Sequence, residues 1–296
     1  MIPSGEITDS QVAVDSASIT GPYGSIPVRI YRPRLLAFGA GLVWIHGGAF
    51  IGGNLDMAES DWVARQVALA GVTVVTVDYR LAPTPEWMAP QLTPDPDGWH
   101  FPVASEEVGS VFEWALQSDS DIPASRWAIG GASAGANLAT GAALRLRDAG
   151  GVAPAALVLA YPLVHKELPP MSDELQTKYD ELPVQERFSP ETVSRINLNY
   201  VDDPELLDHP YAFPGGHDLS GLPRAFIVNS DSDSLRASGE LFASELAAAG
   251  VDTTVVLEPD TKHGHLDQPG TTGARRSVRR IVDWLTHTQF TEGNHD

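Results

Sequence analysis

The chain has 296 residues with no cysteine, 43% apolar and 20% charged side chains, and 19 basic against 39 acidic residues, a formal net charge of −20. That apolar fraction supports a large core and excludes intrinsic disorder, while the missing cysteine excludes a disulfide, a thiolate metal site and a cysteine nucleophile. An acidic surface repels phosphate backbones and anionic headgroups, so nucleic-acid binding and membrane-surface roles are excluded too.

In chain order, Met1-Ile2-Pro3-Ser4-Gly5-Glu6 has neither the basic nor the apolar region of a secretory signal, which points to a cytoplasmic protein. Apolar stretches such as 35–45 and 67–77 are too short to span a bilayer. Ile26, Val28 and Ile30 alternate with Pro27, Arg29 and Tyr31, the pattern of a half-buried antiparallel strand at a sheet edge. Continuous apolar runs follow at 42–45, 72–77, 127–129, 156–159, 225–228 and 254–257, each suited to a strand covered on both faces. Helical patterns lie between them at 58–70, 108–116, 138–149, 241–249 and 278–284, two of them stopping at Gly71 and Gly250. Such alternation predicts a mostly parallel sheet with helices on both faces, whose functional residues gather beyond the strands' carboxyl ends.

Two segments break the rhythm. Prolines 83, 85, 90, 94, 96 and 102 and the tryptophans Trp87 and Trp99 make residues 84–102 an ordered loop insertion. Residues 164–214, charged and weakly periodic around helical patterns at 173–179 and 189–199, read as a cap or lid inserted between two core strands. Residues 259–272 form a further unstructured stretch with an expected functional role.

The strongest local signal is Gly131-Ala132-Ser133-Ala134-Gly135, a G-x-S-x-G between a strand and a helix. Small neighbours let a serine sit on a strained turn with its hydroxyl clear of the sheet, and the helix start behind it offers an oxyanion the N–H of Ala134. The bland alternative is a small-residue turn chosen for close packing. His46-Gly47-Gly48-Ala49-Phe50 follows the strand at 42–45, where lipases and esterases carry the other half of an oxyanion hole.

A serine nucleophile needs a base, and the base needs an acid to fix its tautomer. After Ser133 the strand at 225–230 leads into Asp231-Ser232-Asp233, and the strand at 254–257 leads toward His263-Gly264-His265. The order Ser, Asp, His is right, but it does not choose between Asp231 and Asp233 or between His263 and His265.

From about residue 26 to 286 the sequence resembles the hormone-sensitive-lipase-like family of α/β-hydrolase carboxylesterases. The resemblance rests on His46-Gly47-Gly48, on Asp78-Tyr79-Arg80-Leu81-Ala82-Pro83, on the segment from Gly131 to Ala139, on Asp218-Leu219-Ser220-Gly221-Leu222-Pro223 and on Asp233-Ser234-Leu235-Arg236. It implies a single α/β-hydrolase domain over 1–296, with Ser133 as nucleophile, His263 as base, Asp233 as acid, and the N–H groups of Gly47, Gly48 and Ala134 as oxyanion donors. It also implies a small-molecule ester substrate, no metal or organic cofactor, no membrane insertion, and a homodimer through the last strand and C-terminal helix.

The departures bear on substrate. Ala49 stands for the family's third glycine, Ala132 for its usual Asp or Thr, and about fourteen residues are inserted after Glu86. A reduced N-terminal cap implies a more open site, and hence short acyl groups. Phe50, Trp87 and Trp99 are the expected pocket residues, with plain packing the alternative for the tryptophans. A sugar or xylan-type acetyl esterase and an amidase using the same triad are the other readings. A non-catalytic receptor is disfavoured, because Ser133, Asp233 and His263 are all present.

Overall fold

A computed structural model describes residues 11–34, 38–88 and 96–288. The N-terminal residues 1–6 used above, and Pro90 and Pro94 of the insertion, lie outside the described residues. The chain order is β1 (Val12–Gly21), β2 (Gly24–Pro33), β3 (Gly41–Ile45), α1 (Asp61–Leu69), β4 (Thr73–Val77), α2 (Val103–Ser118), β5 (Trp127–Ala132), α3 (Ala134–Asp148), β6 (Leu157–Ala160), α4 (Asp173–Glu181), α5 (Pro190–Val201), β7 (Ala225–Ser232), α6 (Arg236–Ala248), β8 (Thr253–Lys262) and α7 (Thr272–Thr288).

The strands form one sheet in the order β1-β2-β4-β3-β5-β6-β7-β8. β1 and β2 are antiparallel to their neighbours, and every pairing from β4 to β8 is parallel. The interior parallel strands β3 and β4 consist of buried, mostly apolar residues, β-branched throughout in β4, as strands covered on both faces require. Period two then divides them between two cores. Leu42 and Trp44 face the core shared with α1 and α7, whereas Val43 and Ile45 face the core shared with α2, α3 and α6.

Three expectations change. The strand through Ile26, Val28 and Ile30 is not the edge, because β1 pairs along its outer side from Val12↔Pro33 to Gly21↔Gly24. The run at 254–257 is not covered on both faces: β8 is the opposite edge, and Val255 and Leu257 are 45% and 38% exposed. β8 also continues to Lys262, and a 3-10 turn at His265–Asp267 follows, so little of 259–272 is irregular.

Residues 164–214 lie between β6 and β7 and carry α4 and α5. Both helices start on serine caps: Ser172 Oγ accepts from Leu175 N–H at 3.2 Å, and Ser189 Oγ from Thr192 N–H at 3.1 Å with Pro190 in the first turn. In the insertion a 3-10 turn at Glu86–Met88 holds Trp87, against which the Arg195 guanidinium of α5 stacks at 4.2 Å.

Candidate active site

Ser133 occupies the cap position of α3, where a serine normally bonds the helix's first N–H groups. Here its backbone sits at φ 53, ψ −119 and the side chain makes no capping bond. The turn throws the hydroxyl outward, within 3.0 Å of His263 Nε2. Positive φ on a residue with a Cβ is costly, and small neighbours make the turn sterically accessible. A Cβ on Gly135 would lie 2.2 Å from the Ile45 carbonyl oxygen, so only glycine lets α3 start against the end of β3.

His263 and Asp233 arrive from the ends of β8 and β7. His263 Nδ1 bonds Asp233 Oδ2 at 2.7 Å, and Asp233 Oδ1 accepts the Leu235 N–H at 2.9 Å. Burial opposes charge on His263, but the charge and hydrogen bond of Asp233 outweigh it and hold the imidazole pKa above its ordinary value. The other candidates are engaged elsewhere. Asp231 pairs with Lys178 of α4 at 2.5 Å, and His265 bonds Ser230 Oγ at 2.9 Å and Ser277 Oγ at 2.7 Å.

The loop after β3 requires one correction. The Gly47 N–H is not aimed at a substrate, because it donates to Glu59 Oε1 at 2.6 Å. Glu59 is 3% exposed, and its Oε2 accepts a hydrogen bond from the Tyr161 hydroxyl. Burial raises the Glu59 pKa, while its bonds from Tyr161 and Gly47 act in the other direction. Beyond Gly47 the loop turns through three positive-φ residues, Gly48 at 116°, Ala49 at 55° and Phe50 at 66°. Among the described residues, the N–H groups of Gly48, Ala49 and Ala134 donate to no protein acceptor.

His46 braces this loop from behind. Its Nδ1 donates to the Gly47 carbonyl at 2.7 Å, its ring stacks on Tyr79 at 4.4 Å, and burial lowers its pKa to about 4. Tyr161, at φ 35, presents its ring edgewise to His263 at 5.0 Å and to His265 at 5.1 Å. Phe188, from residues 164–214, packs edgewise on His263 at 4.8 Å, and its carbonyl accepts from Ser234 Oγ at 2.8 Å. Sequence reasoning missed Glu59, Tyr161 and Phe188. Glu59 reads as an ordinary acid ahead of a helix and Tyr161 as the end of a core strand, and nothing in either pattern reveals a partner about a hundred residues away.

The expected pocket residues have separate surroundings. Phe50 is 1% exposed and stacked on Tyr200 at 3.9 Å, with Phe213 edgewise at 6.4 Å. Trp99 is 45% exposed beside Tyr23 and Arg80. None of Phe50, Trp87 and Trp99 lines the cavity of about 930 Å³ that opens beside His263, whose walls include Glu186, Phe188, Lys262, Thr272 and Arg276. Among the described residues no group of three His, Asp or Glu is placed to hold a metal ion, and no helix is long and apolar enough to cross a membrane.

Residues 42–267 match the family described as alpha/beta hydrolase fold. The carboxylesterase NlhH of Mycobacterium tuberculosis is 30% identical over 275 residues, covering 90% of this chain and 77% of that protein. The arylesterase of Saccharolobus solfataricus is 28% identical, covering 91% and 80%. A hyperthermophilic esterase from the archaeon Pyrobaculum calidifontis superposes with a TM-score of 0.78 at 30% identity, over 93% of this chain and 83% of that one. With the mostly parallel sheet, the serine on its strand-to-helix turn and the glycine loop after β3, these likenesses make the chain a member of the α/β-hydrolase family, in its hormone-sensitive-lipase-like group of carboxylesterases.

Proposed function

We propose that the protein hydrolyses short-acyl carboxylic esters through an acyl-enzyme on Ser133. His263 takes the Ser133 proton as Oγ attacks the acyl carbon and returns it to the leaving alcohol, while Asp233 holds the imidazole and stabilises its protonated form. Gly48, Ala49 and Ala134 donate their N–H groups to the tetrahedral oxyanion, and water then releases the acid. The observation that carries the reading is the continuous chain from Ser133 Oγ to His263 Nε2 at 3.0 Å and from His263 Nδ1 to Asp233 Oδ2 at 2.7 Å, on a serine at positive φ.

The test is the burst of p-nitrophenol from p-nitrophenyl acetate with the native chain and with Ser133→Ala. The native chain should turn over with a burst matching enzyme concentration if deacylation is slow, and the variant should do neither. Equal turnover by both proteins would overturn the nucleophile.

Short acyl groups are supported by the aromatic packing at the oxyanion loop, where buried Phe50 stacks on Tyr200 and both rings meet Phe213 edgewise. Across acetate, butyrate, octanoate and laurate esters, kcat/KM should be highest at the short end, and a laurate optimum would defeat the claim. Paired ester and anilide substrates separate esterase from amidase. Residues 164–214 serve as the cap, supported by Phe188 lying on the base. The homodimer through β8 is supported by the exposure of Val255 and Leu257 on that edge, and light scattering that returns the mass of one chain would overturn it.

A further inference from the structure

Glu59 lies in no strand or helix, yet it ties four parts of the structure together. Its Oε1 accepts the Gly47 N–H at 2.6 Å and its Oε2 the Tyr161 hydroxyl. Its own N–H donates to Asp267 Oδ1 at 3.1 Å, and its carbonyl accepts from Trp44 Nε1 at 2.8 Å. It is therefore anchored to β3, to the exit of β6 and to the turn after β8 as well as to the glycine loop. Among the described residues no lysine or arginine pairs with its carboxyl group. A buried carboxyl group without a cation is expensive, so an ion-pair role does not explain it.

The peptide it holds is the one that sets the direction of the next two. The Gly47 N–H points inward to Glu59, and the Gly47 carbonyl is held by His46 Nδ1 at 2.7 Å and Tyr79 Oη at 3.4 Å. The peptide that carries the Gly47 N–H is fixed on both sides, because its own carbonyl, that of His46, accepts from Tyr79 Oη at 3.0 Å. The Gly47 carbonyl belongs to the next peptide, which is trans, so the Gly48 N–H points away from the His46 ring that holds that carbonyl, and the positive-φ turn carries the chain on to Ala49. A loop held this way need not reorganise as charge develops on the substrate oxygen, which is the condition for a strong oxyanion hole.

We infer that Glu59 is a positioning residue of the oxyanion hole: its carboxyl group locks the peptide between His46 and Gly47 so that the next two, through Gly48 and Ala49, present their N–H groups to the oxyanion. The inference rests on the reading of Ser133 as nucleophile. Glu59→Gln keeps an acceptor for Gly47, and its amide can donate to the Tyr161 oxygen in place of the present bond. Glu59→Leu keeps the bulk and loses the acceptor, and Glu59→Asp draws the acceptor back by one methylene.

The test compares an alkyl ester with its thionoester, whose C=S accepts hydrogen bonds weakly and so reports on oxyanion donors separately from general folding. The native chain should favour the ester strongly. Glu59→Leu should lose about 10²-fold in kcat with KM within about threefold, and its ester-to-thionoester preference should fall about tenfold or more, comparable to losing one donor. Glu59→Gln should restore both to within about threefold of native, a rescue that a requirement for charge would forbid. If Glu59→Leu does not fold, Glu59→Asp decides on the same ratio, with a smaller fall expected. An unchanged ratio in either folded variant, or a Gln variant as impaired as Leu, overturns the inference. Failure of the Ser133 reading is distinct, because it appears as Ser133-independent turnover in the native background before Glu59 is touched.

Discussion

The ammonium group of Lys178 lies 2.5 Å from the carboxylate of Asp231, joining α4 to the end of β7 two residues before Asp233. The clasp is doubled, because Glu174 of the same helix reaches Arg236 at 3.0 Å. Leu175 is the only residue buried in α4, and the ion pairs add to its packing in holding that helix down.

Removing Lys178 should therefore loosen α4 without dismantling the site. Lys178→Met is expected to lower stability by about 1 kcal/mol, since the pair is partly exposed and Arg236 still faces Asp231. The difference should shrink in about 1 M salt, where screening acts over about 3 Å. Melting curves of both proteins at low and high salt check this, and limited proteolysis should cut within residues 173–181 sooner in the variant. A salt-independent difference would mean that the clasp contributes through packing.

Asp233→Asn preserves the shape of the acid but offers His263 Nδ1 an amide in place of a charge. The wrong imidazole tautomer is then favoured, and kcat should fall by about 10³ to 10⁴-fold with KM changed little. Steady-state kinetics on p-nitrophenyl acetate measure it. A loss under tenfold would remove Asp233 from the triad and direct attention to Asp231.

Turnover should decline in acid with a midpoint above the ordinary histidine value of 6.5, because the His263 pKa is raised and only the neutral ring can act as base. Lowering the pH through that raised value protonates the ring and removes the base. The groups facing it are Asp233, Ser133, Tyr161, His265 and, further off, Glu59 and Lys262, the last paired with Glu186 at 2.7 Å. The pH profile of kcat/KM checks the sign. A midpoint below 6.5, or a flat profile between about pH 5 and 8, contradicts it.

Stability should also depend on pH, through His265. Burial, together with the neighbouring His263, lowers its pKa from 6.5 to about 4. A base depressed in the fold takes up its proton only on unfolding, so acid favours the unfolded chain from about pH 6.5 down to about 4, by on the order of 3 kcal/mol. His265→Gln, which does not titrate, should reduce that slope in denaturation curves and leave the part due to His46, whose pKa burial also lowers to about 4. An equal slope in both proteins would assign the acid sensitivity to other groups.

Most of this architecture can be read from local pattern, and the exceptions have physical causes. The interior strands are legible because two covered faces demand unbroken apolar runs, as in Leu42, Val43, Trp44 and Ile45. β1 escapes notice because an edge strand needs to bury little: of its ten residues Val12 and Ile19 are buried, and Asp15 and Ser16 interrupt the alternation. β8 misleads for the opposite reason, since Val255 and Leu257 are apolar yet exposed. Ser133 is visible because its turn is encoded by adjacent small residues. Glu59 is invisible because its role is set by Gly47 and Tyr161, which the fold brings to it from 12 and 102 residues away.

Ser133 and His263 meet across 130 residues of sequence, and they do so only where β5, β6, β7 and β8 stand side by side. Each of those pairings is parallel and needs a long crossover, the slowest kind of connection to close. The hydrolytic function is thus a late arrival in the life of each molecule. A chain emerging from denaturant should regain its helical signal before it can be acylated, and the interval between the two measures the time that α3 waits for β8.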